Sequence, residues 1–431
     1  MTQATTVPMV GAAAVDAAAV KRISEAGGEP DWLRELRDSW ARRADATDWP
    51  TGQEEEWRRT SLEKMPRDVA LLDASEVTVE RDGLDERLAE RGVIFTDLAT
   101  AAAEHPELVR EHLEHEATLP SHARIWAMAH AAWSAGTFCY VPPGIRVDGL
   151  LRLRVTQRRA DAAFLPLTIV VADRDSSLTI LEEYASPDGQ AGWFGGVSEV
   201  RALEGARVRY ANLQRLGDAV WNLGTQRIWV GKDADVTSLN GEVGSTVTKL
   251  GLDVQMAGNG GTSKLLGLLA AGDDQHIDIN SVQDLAGSHT TSDLLYLAGL
   301  YDRAKAAFYG MLRVQPQAKA TSSYQECRNL LLSPDAGAEP IPALEILTND
   351  IIRCGHGATA GAIDPVQLFY AQSRGLDPDA AERMIVRGFF EQVISRIESE
   401  PIRARMLGAL APRIGRADID GDEAVMSEVA A

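Results

Sequence analysis

The stretch RCGHGATAG, Arg353 to Gly361, holds Cys354 and His356 one residue apart among glycines. If it lies in a strand, both side chains leave the same face, so a thiolate and an imidazole can address one metal ion. The glycines let another backbone come close. Spacing alone leaves plainer readings open, since a buried cysteine is commonly a small hydrophobe and a histidine beside a turn often satisfies local groups. A closed metal site takes about four ligands, and iron-sulfur clusters use cysteines with histidine as an attested substitute. This chain has three cysteines, Cys139, Cys327 and Cys354, and no C-x-x-C pair. A metal held at Cys354 and His356 therefore needs further ligands from a second chain or a labile molecule. The odd, dispersed thiols suggest neither a disulfide framework nor a closed zinc site and fit a reducing compartment. Packing is the expected role of Cys139 and Cys327.

Three other groups could do chemistry. GNGGTSKL, Gly258 to Leu265, is glycine-rich with a lysine, but lacks the G-x-x-x-x-G-K-[ST] spacing that wraps a phosphate in backbone amides. A turn between strands accounts for it, and no nucleotide site is expected. EHLEHE, Glu111 to Glu116, sets His112 and His115 three apart on a helical run, and reads as a solvated, charged face. Asp273, Asp274, Asp278 and Lys305 are the nearest groups to a carbohydrate-active site of the kind β-helices can host, although solvated turns explain the acids equally well.

The elements that must position these residues fall into three runs. The first third is helical in pattern, with DWLRELRDSWARRAD and SHARIWAMAHAAWSAG. Trp126, His130 and Trp133 follow helical spacing and Gly136 is a plausible stop. From about Gly144 short apolar or alternating runs take over, divided by Gly, Asp and Asn. RDSSLTI, EGARVRY, KDADVTS and GGTSKLL each bring a turn-like pair just before an apolar start, and Leu178, Val208, Val236 and Leu265 recur at about 28 to 30 residues. An antiparallel sandwich and a β-helix both fit this echo; the scarcity of helical interruptions favours the solenoid. Helices return after Asp364, with Asp377-Pro378 as a start and Ala381, Ile385, Phe389, Val393 and Ile397 as a stripe expected to pack on the chain's own core. The expected organisation is an N-terminal helical region over 1–143, a β core over 144–361, a C-terminal helical region over 362–415 and an acidic, frayed tail over 416–431.

The 431 residues carry a formal net charge of -20, which repels a phosphate backbone and argues against nucleic-acid binding. With 45% hydrophobic and 25% charged residues, the chain is of ordinary globular composition. The alanine-rich start is interrupted by Asp16 and has neither a basic leader nor a long apolar core, so a cytoplasmic protein without membrane spans is expected.

CGHGATAGAIDPVQLFYAQSRGL, Cys354 to Leu376, closely resembles the signature of the SufD group within the SufB/SufD family, part of the SUF iron-sulfur cluster assembly machinery. KATSSYQECRNLLLSPDAGAEPIPALEI (Lys319 to Ile346), TTSDLLYLAGLYDRAKAAFYGMLRV (Thr290 to Val314) and the N-terminal EPDWLRELR and EEEWRRTSL are similar to further segments of that group. The resemblance implies a right-handed parallel β-helix flanked by helical regions, in a non-enzymatic scaffold that helps iron enter and a nascent cluster form. It implies two partners, a SufB-like paralogue and a SufC-like ATPase that supplies the absent ATP hydrolysis; a homodimer is the alternative for the isolated chain. It assigns Cys354 and His356 to iron or a transient cluster shared across the SufB-like interface. It assigns Phe369, Tyr370, Arg374 and Gly375, with support from Ile385, Phe389 and Val393, to partner binding in the region that docks the ATPase. SufB-like chains carry a more acidic version of the G-H-G segment, so Gly355 and Gly357 favour SufD. Asp284 stands where many members have a histidine, with His289 nearby.

Overall fold

The structure, a computed structural model, describes Val15 and residues 17–67, 69–113 and 119–414. His115 and the tail from Arg416 lie outside the described residues. In chain order the elements are α1 (Ala17–Gly27), α2 (Asp31–Ala46), β1 (Val77–Asp82), α3 (Glu86–Glu90), β2 (Ile94–Asp97), α4 (Leu98–Glu104), α5 (Pro106–Leu113), α6 (Ala123–Ala132), β3 (Gly136–Val141), β4 (Arg146–Gln157), β5 (Ala163–Phe164), β6 (Leu167–Ala172), β7 (Ser177–Ala185), β8 (Trp193–Phe194), β9 (Val197–Ala202), β10 (Arg207–Arg215), β11 (Trp221–Asn222), β12 (Thr225–Val230), β13 (Asp235–Glu242), β14 (Val247–Met256), β15 (Thr262–Ala271), β16 (His276–Leu285), β17 (Thr291–Leu300), β18 (Lys305–Val314), β19 (Thr321–Leu331), β20 (Gly337–Ile346), β21 (Ile351–Ala362), α7 (Pro365–Ser373), α8 (Pro378–Ile394) and α9 (Glu400–Ile414).

The β strands form a solenoid of about 8 turns. Each turn sends one long strand through sheet I (β1-β4-β7-β10-β13-β15-β17-β19-β21) and one through sheet II, whose main path runs from β2 through β14 and on to β16, β18 and β20. Pairing within the coils is parallel, and among the described residues only β1 with β4 and β2 with β3 are antiparallel. The apolar echo has a structural cause. Leu178, Val208 and Val236 stack in register on the inner face of sheet I. Leu265 departs from the expectation: Ser263 is the residue opposite Val236, and Leu265 lies opposite Ser238, two positions on along the same face.

The turn-like pairs are solenoid corners. Gly144, Asp175, Gly205, Asp233, Gly260, His289 and Ala320 occupy successive corners with φ between 50° and 73°. That left-handed conformation is free to glycine and tolerated by aspartate. Each donates its N–H to a carbonyl of the next corner, as Asp175 does to Glu204 at 2.9 Å and His289 to Lys319 at 2.7 Å. GNGGTSKL is such a corner followed by the start of β15, which is why it lacks phosphate-loop spacing.

Helices cover both outer faces. The N-terminal region packs on sheet II through a tryptophan-rich core that joins Trp40, Trp57, Trp126 and Trp133 to Leu167 and Ile169. It is pinned by a buried ion pair, Arg37 to Glu29 at 2.6 Å, while the same guanidinium caps the carbonyls of Ala131 and Trp133. The expected histidine face is different here: His112 is buried beside Val109 and Leu113. Gly136 opens strand β3, and the helix before it already ends at Ala132. On sheet I, α8 and α9 lay Val386, Phe390, Val393, Ile402 and Met406 against Leu239, Leu266 and Leu295. The α8 stripe packs on its own core as expected, but along Ala381, Val386, Phe390, Val393 and Ile394. Of the expected stripe Ala381, Val393 and Ile397 are buried and Ile385 and Phe389 half-buried; a strict four-residue stripe rotates around a 3.6-residue helix, so Val386 and Phe390 take the core positions beside those two.

Candidate functional site

β21 is the last strand of sheet I. It pairs with β19 so that Gln325 lies opposite His356 and Ser323 opposite Cys354. Thr321, Ser323, Gln325, Cys327 and Asn329 form the buried, inward face of β19, so Cys354 and His356 continue that face at the open end of the solenoid. The i, i+2 expectation of a shared face is met. Cys354 is half-buried against the edge of the core and His356 is exposed. Gly355 and Gly357 face outward over Tyr324, and a Cβ at Gly357 would lie 2.9 Å from the Tyr324 hydroxyl. Burial pushes the thiols of Cys139 and Cys327 up to about 12, which leaves Cys354 as the accessible thiol of the three. Among the described residues no three His, Cys, Asp or Glu side chains gather as a metal set.

The two sheets end in strands of opposite character. In β20, Gly337 and Leu347 donate to Ala304 and Val314 on the β18 side, so the even positions turn their N–H groups to the free edge. Two of those positions are Pro340 and Pro342, which have no N–H to offer. In β19, Ser322 and Leu332 donate toward β17, so its odd positions serve β21. Register then leaves the N–H and C=O of Cys354, His356, Ala358 and Ala360 on the free edge of β21. An open ladder of this kind is a template for another strand. Sequence reasoning missed the two prolines; their i, i+2 spacing inside an otherwise strand-like run was the available signal.

The inner face just beneath this edge is polar. Ser263 and Ser292 share a hydrogen bond at 2.8 Å, and Gln283 donates to Ser292 at 2.7 Å. Gln325 donates to Gln283 at 3.4 Å. The other residues singled out in the sequence lie elsewhere. Asp284 accepts from Gln315 at 2.8 Å on the outer face of sheet II and His289 is a corner residue, so neither faces the inner column of Cys354 and His356.

Residues 154–389 match the family model described as SUF system FeS cluster assembly, SufBD core domain. The chain belongs to the SufB/SufD family. It is similar to the iron-sulfur cluster assembly protein SufD of Bacillus subtilis, with 26% identity over 93% of this chain and 98% of the relative. The SufB protein of the same organism is 27% identical over 74% of this chain and 68% of its own length. A SufB/SufD-family assembly protein of Mycobacterium leprae is 26% identical over 85% of this chain and 91% of its own length.

The four groups weighed for a carbohydrate-active site each have a structural place. Asp273 is a corner residue with φ 51° and Asp274 pairs with Arg303 at the surface. Asp278 is buried, held by Lys249 at 2.8 Å and by the Thr60 hydroxyl, and Lys305 caps the Asp335 carbonyl. The side chains of Asp274, Asp278 and Lys305 are each engaged in a structural contact.

All exposed large hydrophobic side chains among the described residues lie after Glu345. Ile346, Leu347 and Ile352 rim the open end, whereas Val366, Phe369 and Tyr370 share one face of α7, with Met384 of α8 also exposed. Phe369 is 71% exposed and Tyr370 59%, unusual for aromatic side chains with no outside contact. Arg374 lies over the Tyr370 ring at 5.1 Å, and Gly375, at φ 99°, turns the chain out of α7. No helix among the described residues is long and apolar enough to cross a membrane.

Proposed function

We propose that the chain is a SufD-type scaffold subunit of a cytoplasmic SUF complex, with no enzymatic activity of its own, that helps iron enter and a nascent cluster form. The observation that carries this reading is the placement of Cys354 and His356 side by side on a free strand edge at the open end of the solenoid. A thiolate with an imidazole suits iron or an iron-sulfur cluster, and two ligands leave room for those of a second chain. Iron is cargo in this reading, held in passing.

A SufB-like paralogue pairs its own terminal strand with the free edge of β21 and brings the remaining ligands. Gly355 and Gly357 favour the SufD branch because they keep that edge slim and uncharged. A SufC-like ATPase docks on the exposed α7 face of Val366, Phe369 and Tyr370, with Arg374 and Gly375 shaping its end. Nucleotide binds that subunit, and its movement opens and closes the shared interface through different affinities for the two states.

His356→Ala tests the reading. The expected result is a complex that still assembles with both partners, recovered by gentle co-purification with ATP hydrolysis intact, but that incorporates little iron. Normal iron loading in that variant would count decisively against the assignment. Sedimentation of the chain alone measures self-pairing, since the same β21 edge is open to a second copy.

A further inference from the structure

Two inner columns of sheet I lead to the open end. The column that ends at Cys354 runs Leu178, Val208, Val236 and then Ser263, Ser292, Ser323. The column that ends at His356 runs Ile180, Tyr210, Ser238, Leu265, Leu294 and then Gln325. Both columns thus reach the open end through polar side chains, Ser323 and Gln325. Their hydrogen bonds pass from Ser263 to Ser292, Gln283 and Gln325, and there they stop. Among the described residues the Gln325 Oε1 and the Ser323 hydroxyl have no partner, although Gln325 is only 1% exposed and Ser323 2%. Buried polar atoms in native proteins are overwhelmingly paired, and leaving one unpaired is costly. The fold also makes room for this glutamine: a Cβ on Gly310 would lie 2.2 Å from its Nε2.

The next side chain in the Gln325 column is His356. Paired strands lie about 4.8 Å apart, so a side-chain rotation brings an imidazole N–H to the waiting amide oxygen. We propose that Gln325 is a positioning residue for His356: its Oε1 accepts the ring N–H, which fixes one tautomer and turns the other ring nitrogen out of the open end toward incoming iron. Histidines that bind metals almost always donate their second ring nitrogen to such an acceptor. The inference rests on the proposed role of His356, and its test is independent of iron and of partners.

The experiment uses the full-length chain with ¹⁵N-labelled histidine, His356→Ala supplying the assignment. Ring ¹⁵N shifts at fixed pH report the tautomers in the parent, Gln325→Leu and Gln325→Glu. The expected result is one dominant tautomer in the parent, a mixture in Gln325→Leu, and one tautomer restored in Gln325→Glu, which keeps an acceptor oxygen. A merely structural glutamine gives the opposite order of damage, because leucine suits a buried site better than a carboxylate does. An unchanged tautomer ratio in a cooperatively folding Gln325→Leu overturns the proposal. So does a mixture in the parent. Normal iron loading in His356→Ala would instead remove the functional reading and leave the Gln325 contact as measured.

Discussion

β20 and β21 end the same solenoid at the same face, yet only one is built to continue. β20 presents Pro340 and Pro342 at free-edge positions, whereas β21 presents the donors of Cys354, His356, Ala358 and Ala360 between glycines. Blunting an edge with proline is a common defence against unwanted pairing. Leaving its neighbour open is then informative, because the cost of an exposed ladder falls on the strand that carries the candidate ligands. The lesson is that a solenoid end can be half closed, with a free strand edge confined to one sheet, the one that carries Cys354.

The strongest way to break this comparison is to exchange the two behaviours. Ala358→Pro removes one free-edge donor and puts a ring in the path of an added strand. Loss of that bond and of close approach is worth on the order of 2–3 kcal/mol, roughly 30- to 150-fold in Kd. Pro342→Ala restores a donor on the blunted edge and is expected to leave pairing unchanged. Pull-down of the paralogue with each variant measures both; equal pairing in Ala358→Pro would show that β21 is not the interface.

A smaller effect separates the edge from the other exposed surface. Phe369→Ala removes an aromatic anchor worth about 2 kcal/mol, roughly thirtyfold in affinity for the ATPase, and is expected to spare pairing through β21. Titration of each partner against the Phe369→Ala and Ala358→Pro variants gives a crossed pattern if the two surfaces are separate. Parallel losses in both titrations would merge them into one.

Much of this was legible beforehand because it depends on local chemistry. Corner residues that accept positive φ, the period-2 geometry that puts Cys354 and His356 on one face, and the helix start at Asp377-Pro378 are all written within a few residues. The Asp377 carboxylate does accept from the Ala380 N–H at 2.8 Å. What stayed hidden depends on neighbours. Which way a proline's missing donor points is set by the adjacent strand, so Pro340 and Pro342 had no visible meaning alone. Burial of His112 and of Asp278 follows from the N-terminal region folding onto sheet II. The mismatch at Leu265 arises because one coil is shorter than those before it, which moves Ser263 into the apolar column.

The smallest effect tests whether the interior away from the open end obeys the usual rule of paired polar groups. Glu182 is buried and accepts from Thr168, Ser198, Tyr184 and Tyr210. Glu242, equally buried on the same inner face, receives only the Asn222 amide at 3.3 Å. Burial outweighs that one donor and pushes its carboxyl up to about 8. A folded-state value raised above the unfolded one means that the native state holds the proton more tightly. The stability this contributes is full below the ordinary carboxyl range near pH 4.5 and is lost as pH rises through about 8. Glu242→Gln mimics the protonated form, so its melting temperature should match the parent at pH 5 and exceed it by a few degrees at pH 8.5. Glu182→Gln should lower stability at both, since four hydroxyls then share a weaker acceptor. A parent whose advantage over Glu242→Gln grows with pH would mean that Glu242 is ionised and paired, and that the interior is as well satisfied there as at Glu182.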